Sequence, residues 1–319
     1  MNGTEPKIEI FEPFGAAYEW MKTILFRPFD IGRWLVIAFA AFIGGSWGNG
    51  FNFNYNDWKG SDWKYRWSSH GTLADGGVPA WLIALVIIGT LVVILIIIAV
   101  MWVTSRGQFI FTDCVVKNRA AIAEPWREFR REGNSYFLFS LVFAFLGLLA
   151  AGILVLIIAV PFGFFSGDRS DFGAPLIIAL IILGLVWLAF ALFFALVFHF
   201  MVPVMYRRRC SAKEAFLDVF RLILRSPGPF VLLVLFGIVL TIAVGVVGTV
   251  IMCMTCCIGG LPYISTVLLL PAYVWLRAFK LLFLRQFGDA YDVWATVGFP
   301  AAPAPPPAAP HLPPPVAPA

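Results

Sequence analysis

The sequence predicts an all-α integral membrane protein with six transmembrane helices and three amphipathic juxtamembrane helices. Three observations carry this. The chain is 61% hydrophobic and only 13% charged, with a mean hydropathy of +0.87, a balance far too apolar for a water-soluble protein of this length. Six stretches approach or exceed the roughly 20 apolar residues that a helix needs to cross a bilayer: 31–48, 80–104, 136–160, 176–202, 230–252 and 261–284. Nineteen of the 23 lysines and arginines fall on one side of these spans, against Lys59, Lys64, Arg66 and Arg169 on the other. Short cytoplasmic loops are enriched in such residues, so the expected location is the inner (plasma) membrane with both termini cytoplasmic. The net charge of +5 follows from this asymmetry, and no soluble basic domain is present to bind nucleic acid.

Residues 1–30 read as a cytoplasmic segment with an amphipathic helix. Phe14, Ala17, Tyr18, Met21, Ile24 and Leu25 share a helical face, with Glu12 and Pro13 at the start and Pro28 at the stop. The acids Glu5, Glu9, Glu12, Glu19 and Asp30 precede any long apolar run, which argues against a cleavable signal peptide. The first span is short, and Gly44 and Gly48 near its far end suit either close helix approach or a glycine-rich exit turn. In the loop 49–79, Phe51, Phe53 and Tyr55 alternate with asparagines, and Trp63, Tyr65 and Trp67 alternate with Lys64 and Arg66. Period two predicts a small hairpin there, its aromatics serving either as an interfacial belt or as a sugar- or peptide-binding surface.

The second span continues past Arg106 to Cys114. A second amphipathic segment, 120–133, places Ile122, Trp126, Phe129 and Gly133 on one side and Arg127, Glu128, Arg130, Arg131 and Glu132 on the other. The third lies between Pro203 and Pro229. Ser211 and Glu214 are spaced as a capping box, and Ala212, Ala215, Phe216, Val219 and Ile223 recur at helical spacing, which predicts a short helix lying on the membrane. Three such segments, each feeding a pair of spans, outline a threefold repeat over 14–104, 120–202 and 212–284. The competing account is that cytoplasmic loops are independently amphipathic. In the fifth span Gly237, Thr241, Gly245 and Gly248 line one stripe, and Pro271 inside the sixth predicts a kink. The membrane domain is bounded at 31–288. Residues 289–319, rich in proline and alanine, read as a disordered cytoplasmic tail, either a tether or a ligand for a proline-recognition domain.

Catalytic spacing is missing throughout. There is no Gly-x-Ser-x-Gly elbow, phosphate-binding Walker loop or His-Glu-x-x-His, and no Asp or Glu lies within the six apolar cores, where ion-coupled transporters keep functional carboxylates. The chain is therefore read as non-enzymatic. His199, one turn before Pro203, is either an interfacial hydrogen-bonding residue or a headgroup contact. Cys253, Cys256 and Cys257 at the external end of the fifth span suit small-residue packing or a disulfide. A structural zinc needs four ligands, and Cys114 and Cys210 lie at the opposite face, so no metal and no cofactor is expected. Arg207, Arg208, Arg209 and Lys213, with His199, are the candidate contacts to lipid headgroups, since clustered cations at a membrane surface attract anionic lipid by about 1 kcal/mol each.

Glu214-Ala215-Phe216, Leu224-Arg225-Ser226-Pro227 and Phe283-Leu284-Arg285-Gln286-Phe287-Gly288 carry a resemblance to the membrane domain of bacterial glycerophosphodiester phosphodiesterases and its uncharacterised relatives. That resemblance implies an all-helical six-span domain over roughly 14–290. The catalytic domain of those enzymes is absent, so their hydrolytic activity does not carry over. The expected partner is anionic membrane lipid or a protein bound through the basic helices; the alternative is a transporter or lipid translocator with a cavity between the repeats.

Overall fold

Apolar runs become helices because, in lipid, backbone amides have to be satisfied within their own segment. The computed structural model describes residues 9–46, 80–159, 174–255, 261–295 and 297–298. Every regular element among them is a helix: α1 (Phe11–Phe26), α2 (Ile31–Ile43), α3 (Ala80–Val116), α4 (Ala123–Glu128), α5 (Arg130–Ala159), α6 (Ala174–Arg208), α7 (Ala212–Arg225), α8 (Pro227–Met254), α9 (Pro262–Leu268) and α10 (Leu270–Arg285). The aromatic loop 49–79 lies outside the described residues, as do residues 160–173.

Four helices contain stretches long and apolar enough to cross a membrane: Trp81–Val116, Arg130–Leu154, Leu180–Arg208 and Pro227–Met254. The remaining two expected spans take other forms. The first becomes α2, a helix of 13 residues, which reaches about 20 Å against a hydrocarbon core of about 30 Å. The last is divided at Leu269 into α9 and α10. Pro271 explains the division, because it has no amide to give to the carbonyl of Val267 four residues back. That carbonyl accepts instead from Trp34 Nε1 of α2 at 3.1 Å, so the kink doubles as a joint between α2 and α9. Tyr263 also donates its hydroxyl to the Leu35 carbonyl at 3.2 Å, and Thr266 Oγ1 to that of Ser46 at 3.0 Å.

The protein core sits at one end of the helices, the end that carries the lysines and arginines among the described residues. It is built from Phe109–Val116 of α3, Phe129, Tyr136, Val197–Tyr206 of α6, one face each of α1 and α7, Phe230 and Leu233 of α8, and most of α10. The apolar windows of the four long helices are 0, 0, 6 and 11% buried. This polarity follows from the solvent. Leucine gains nothing by leaving lipid for protein, so tight packing concentrates where water and headgroups would otherwise reach apolar side chains.

Two close approaches define the core end. Glu9 N donates to Gln286 Oε1 and Gln286 Nε2 donates to the Glu9 carbonyl, both at 2.8 Å, closing α1 against the end of α10. Trp275 Nε1 donates to the Phe14 carbonyl at 3.1 Å in the same interface. Within α1, Ala17, Met21, Ile24 and Leu25 are buried as the helical spacing predicts, but Trp20 takes the central place and Tyr18 is exposed. At the other approach, a Cβ on Gly107 of α3 would lie 2.5 Å from the Ile43 carbonyl carbon. Gly44 thus both ends α2 and admits α3 against it; Gly48 lies outside the described residues. On α8, by contrast, a Cβ on Gly237 would meet nothing within 4 Å, and one on Gly248 would touch Leu269 at 3.4 Å.

Two expectations need correction. The helix at 212–225 forms with its capping box intact, Ser211 Oγ accepting from Glu214 N and Glu214 returning to Ser211 N. Its apolar positions Ala212, Ala215, Val219 and Ile223, however, are buried within the protein, with Phe216 against Phe139, Phe143 and Phe194, so it caps α5 and α6 rather than resting on lipid. The tail begins later than residue 289. Val293 and Trp294 are buried, Asp292 pairs with Arg285 at 3.0 Å, and Asp292 Oδ1 accepts from Trp294 N at 2.9 Å. Residues 299–319 lie outside the described residues.

Candidate functional site

Two systems of charge occupy the core end. The first is internally neutralised. Asp113, in the last turn of α3 and with no solvent-exposed surface, accepts from Tyr206 OH at 2.9 Å, pairs with Lys117 Nζ at 2.8 Å and with Arg119 at 2.9 Å. Arg119 reaches on to Glu124 at 2.7 Å, and Lys117 to Glu128 at 3.4 Å. Burial works against the charge on Arg119, but its hydrogen bonds to Glu124 and Asp113 outweigh that and hold its pKa above the ordinary range. The network ties the end of α3 to α4 and α6. Trp20 Nε1 adds a bond to the Val115 carbonyl at 3.0 Å, satisfying one of the last-turn acceptors that a helix leaves open.

Arg209 extends this system. It ends α6 in the left-handed region, φ 51°, a place usually taken by glycine. Its guanidinium lies 3.9 Å from the centre of the Phe129 ring and pairs with Glu128 and with Glu132, the latter at 3.5 Å. Phe129 stacks on Tyr206 at 4.8 Å, so the backbone cost at Arg209 is offset by an ion pair and an aromatic stack that glycine lacks. Arg208 pairs with Asp218 of α7. Two of the three arginines expected to contact lipid phosphate are therefore engaged by carboxylates of the protein. Arg207 is half-buried and Lys213 exposed. Cys210, beside them, has its pKa raised by burial, which keeps its thiol protonated.

The second system has no acid in it. Arg277 and Lys280 lie one turn apart on α10, and the Lys280 ammonium contacts Nε2 of His199 on α6. For an ammonium to bond that nitrogen, the imidazole must be neutral with its proton on Nδ1. The Arg277 guanidinium lies 5.2 Å from the centre of the Phe111 ring. Among the described residues no carboxylate forms an ion pair with Arg277, Lys280 or His199. Arg277 and Lys280 are half-buried, and His199 is exposed. Side chains three positions apart on a helix stand about 5–6 Å from each other. Two unit charges at 6 Å repel by up to about 3 kcal/mol at an effective dielectric of 20, before solvent screening.

Depth distinguishes this cluster from the exposed cations around it. Counting from Arg285 at the end of α10, Lys280 stands about 7 Å and Arg277 about 12 Å further along the axis. The headgroup contacts expected from the sequence include His199 but neither Arg277 nor Lys280. The signal available was their combination with Pro271 and a long apolar run, since cations held inside such a run are costly unless used. Of the cysteine cluster, Cys253 is a free, exposed thiol, and Cys256 and Cys257 lie outside the described residues. Among the described residues no group of His, Cys, Asp and Glu has the makings of a metal site.

Long apolar helices joined through a compact, charge-rich end define a helical membrane protein. The chain belongs to a family of unknown function, DUF7544, which matches residues 9–285. The matched region opens and closes beside the reciprocal Glu9–Gln286 contact that joins α1 to α10. No curated protein and no solved structure matches the chain, and nothing in the family match links it to the membrane domains of glycerophosphodiester phosphodiesterases.

Proposed function

We propose that this is a non-enzymatic multi-pass protein of the inner membrane that binds an anionic lipid through the cluster of Arg277, Lys280 and His199. The observation that carries this reading is a pair of half-buried cations with no carboxylate partner among the described residues, set one to two turns inside the end of an amphipathic helix. A lipid phosphate supplies the missing charge at that depth, and the neighbouring apolar surface accepts its acyl chains. Arg207 and Lys213, at the same end, add attraction without forming the seat. The core end is cytoplasmic in this reading, because it carries most of the lysine and arginine. The order of elements, α1 before α2 and α3, α4 before α5 and α6, α7 before α8 and α9–α10, supports the threefold unit, with α2 and the broken α9–α10 pair as its two shorter crossings.

The test is lipid binding to the detergent-purified protein, followed by native mass spectrometry. Arg277→Gln with Lys280→Gln is expected to lose bound anionic lipid while Arg207→Gln with Lys213→Gln keeps it. In lipid-free detergent the Arg277→Gln variant is expected to be at least as stable as the parent, because it relieves repulsion. Unchanged lipid retention in the α10 variant refutes the assignment.

A further inference from the structure

The charge count of the cluster specifies more than an anion. With an anion beside them Arg277 and Lys280 each bring one positive charge, and His199, whose Nε2 faces Lys280, adds none. Among the described residues no carboxylate reduces this to one. Every ion pair formed at the neutralised system nearby leaves its acids engaged with Lys117, Arg119 and Arg209, so none is free to turn toward α10. The donors also suit a terminal phosphate: a planar guanidinium for a bidentate contact and an ammonium with two protons to spare after His199. A phosphodiester offers one negative charge and two free oxygens. A phosphomonoester offers up to two charges and three free oxygens near neutral pH.

Resting on the reading of the cluster as an anionic-lipid seat, we infer that its ligand is the phosphomonoester headgroup of a lipid, rather than the diester of an ordinary phospholipid. His199 positions Lys280 by accepting one of its protons, and Arg277 is held from behind by the face of Phe111. Both cations are then aimed by the protein before the ligand arrives, which lowers the ordering cost of binding.

The experiment titrates the detergent-solubilised full chain with phosphatidic acid, with phosphatidylglycerol of the same acyl chains, and with glycerol 3-phosphate as the soluble monoester. The readouts are native mass spectrometry and thermal shift. Phosphatidic acid is expected to bind about tenfold more tightly than phosphatidylglycerol, the gain of one further charge-assisted contact. Lys280→Gln is expected to abolish that ratio, while Lys280→Arg and His199→Gln retain it; the latter two also establish that the fold survives change at these positions. Equal affinity for the two lipids, with both lost in Arg277→Gln, overturns the monoester inference and leaves the anionic-lipid reading standing. Displacement of phosphatidic acid by an equal concentration of glycerol 3-phosphate overturns the lipid source and leaves the monoester. Binding that ignores all three residues overturns both.

Discussion

Asp113 offers the sharpest test of how the core end is held together. Replacing it with Asn keeps the size of the side chain but removes the charge that Lys117 and Arg119 face and weakens the acceptor of the Tyr206 phenol. Removing one member of a buried ion pair costs about 3–5 kcal/mol, because the partner is left charged and underpaired. Here the side chains of Lys117 and Arg119 are 26% and 28% exposed and keep Glu128 and Glu124 as second partners, which places the expected loss at about 3 kcal/mol. At roughly 2–4 °C per kcal/mol for a chain of this size, the unfolding midpoint falls by about 6–12 °C. Intrinsic tryptophan fluorescence during heating in detergent follows it directly, since Trp20 is bonded to the same turn of α3. Tyr206→Phe removes only the phenol's bond to the carboxylate and is expected to cost about 1.5 kcal/mol. Glu19→Gln breaks an exposed pair with Lys22 and is expected to cost less than about 0.5 kcal/mol. If Asp113→Asn shifts the midpoint no more than Glu19→Gln does, the buried network does not hold α3, α4 and α6 together and the reasoning fails.

Gly107→Ala places a Cβ 2.5 Å from backbone and side-chain atoms of Ile43, so α2 has to move; the midpoint is expected to drop by more than 5 °C for a loss of about 2–3 kcal/mol. Gly89→Ala, where nothing lies within 4 Å, is expected to be neutral or mildly stabilising in the same assay. Trp34→Phe removes the donor to the Val267 carbonyl and is expected to cost about 1–2 kcal/mol. In a Pro271→Ala background, where an amide is again available to that carbonyl, the added cost of Trp34→Phe is expected to shrink by at least half. An undiminished cost there removes the proposed link between the kink and the indole. Trp294→Ala is expected to cost about 3 kcal/mol or more, as for other buried aromatics, and limited proteolysis should then cut the segment after Arg285 that the parent protects.

Much of this architecture follows from local chemistry. The long apolar runs of α3, α5, α6 and α8 leave the backbone no alternative to helix in lipid, and Ser211 with Glu214 writes the start of α7 in four residues. Pro271 announces a break because proline cannot donate. Spacing also identifies the buried face of α7, since the same five positions are apolar whichever surface covers them. What covers them is not local. Protein and lipid are equally apolar, so only the packing of α5 and α6 decides that α7 caps a core instead of lying on the bilayer. The same holds for α2, whose composition reads as a span but whose end at Gly44 packs against Gly107 of α3, a residue far away in the chain.

Charge shows the division most clearly. The sequence by itself determined that most of the cations fall on one side of the apolar runs, because their positions between those runs are linear facts. It did not determine which of them are spent. Arg208 and Arg209 are adjacent to Arg207 in a conspicuous cluster, yet two of the three find carboxylates on α4, α5 and α7, while Arg277 and Lys280, inconspicuous in the chain, find none among the described residues. Pairing depends on which helices meet. That is a property of the tertiary structure, because an ion pair forms over a few ångströms between groups that the sequence separates by tens of residues.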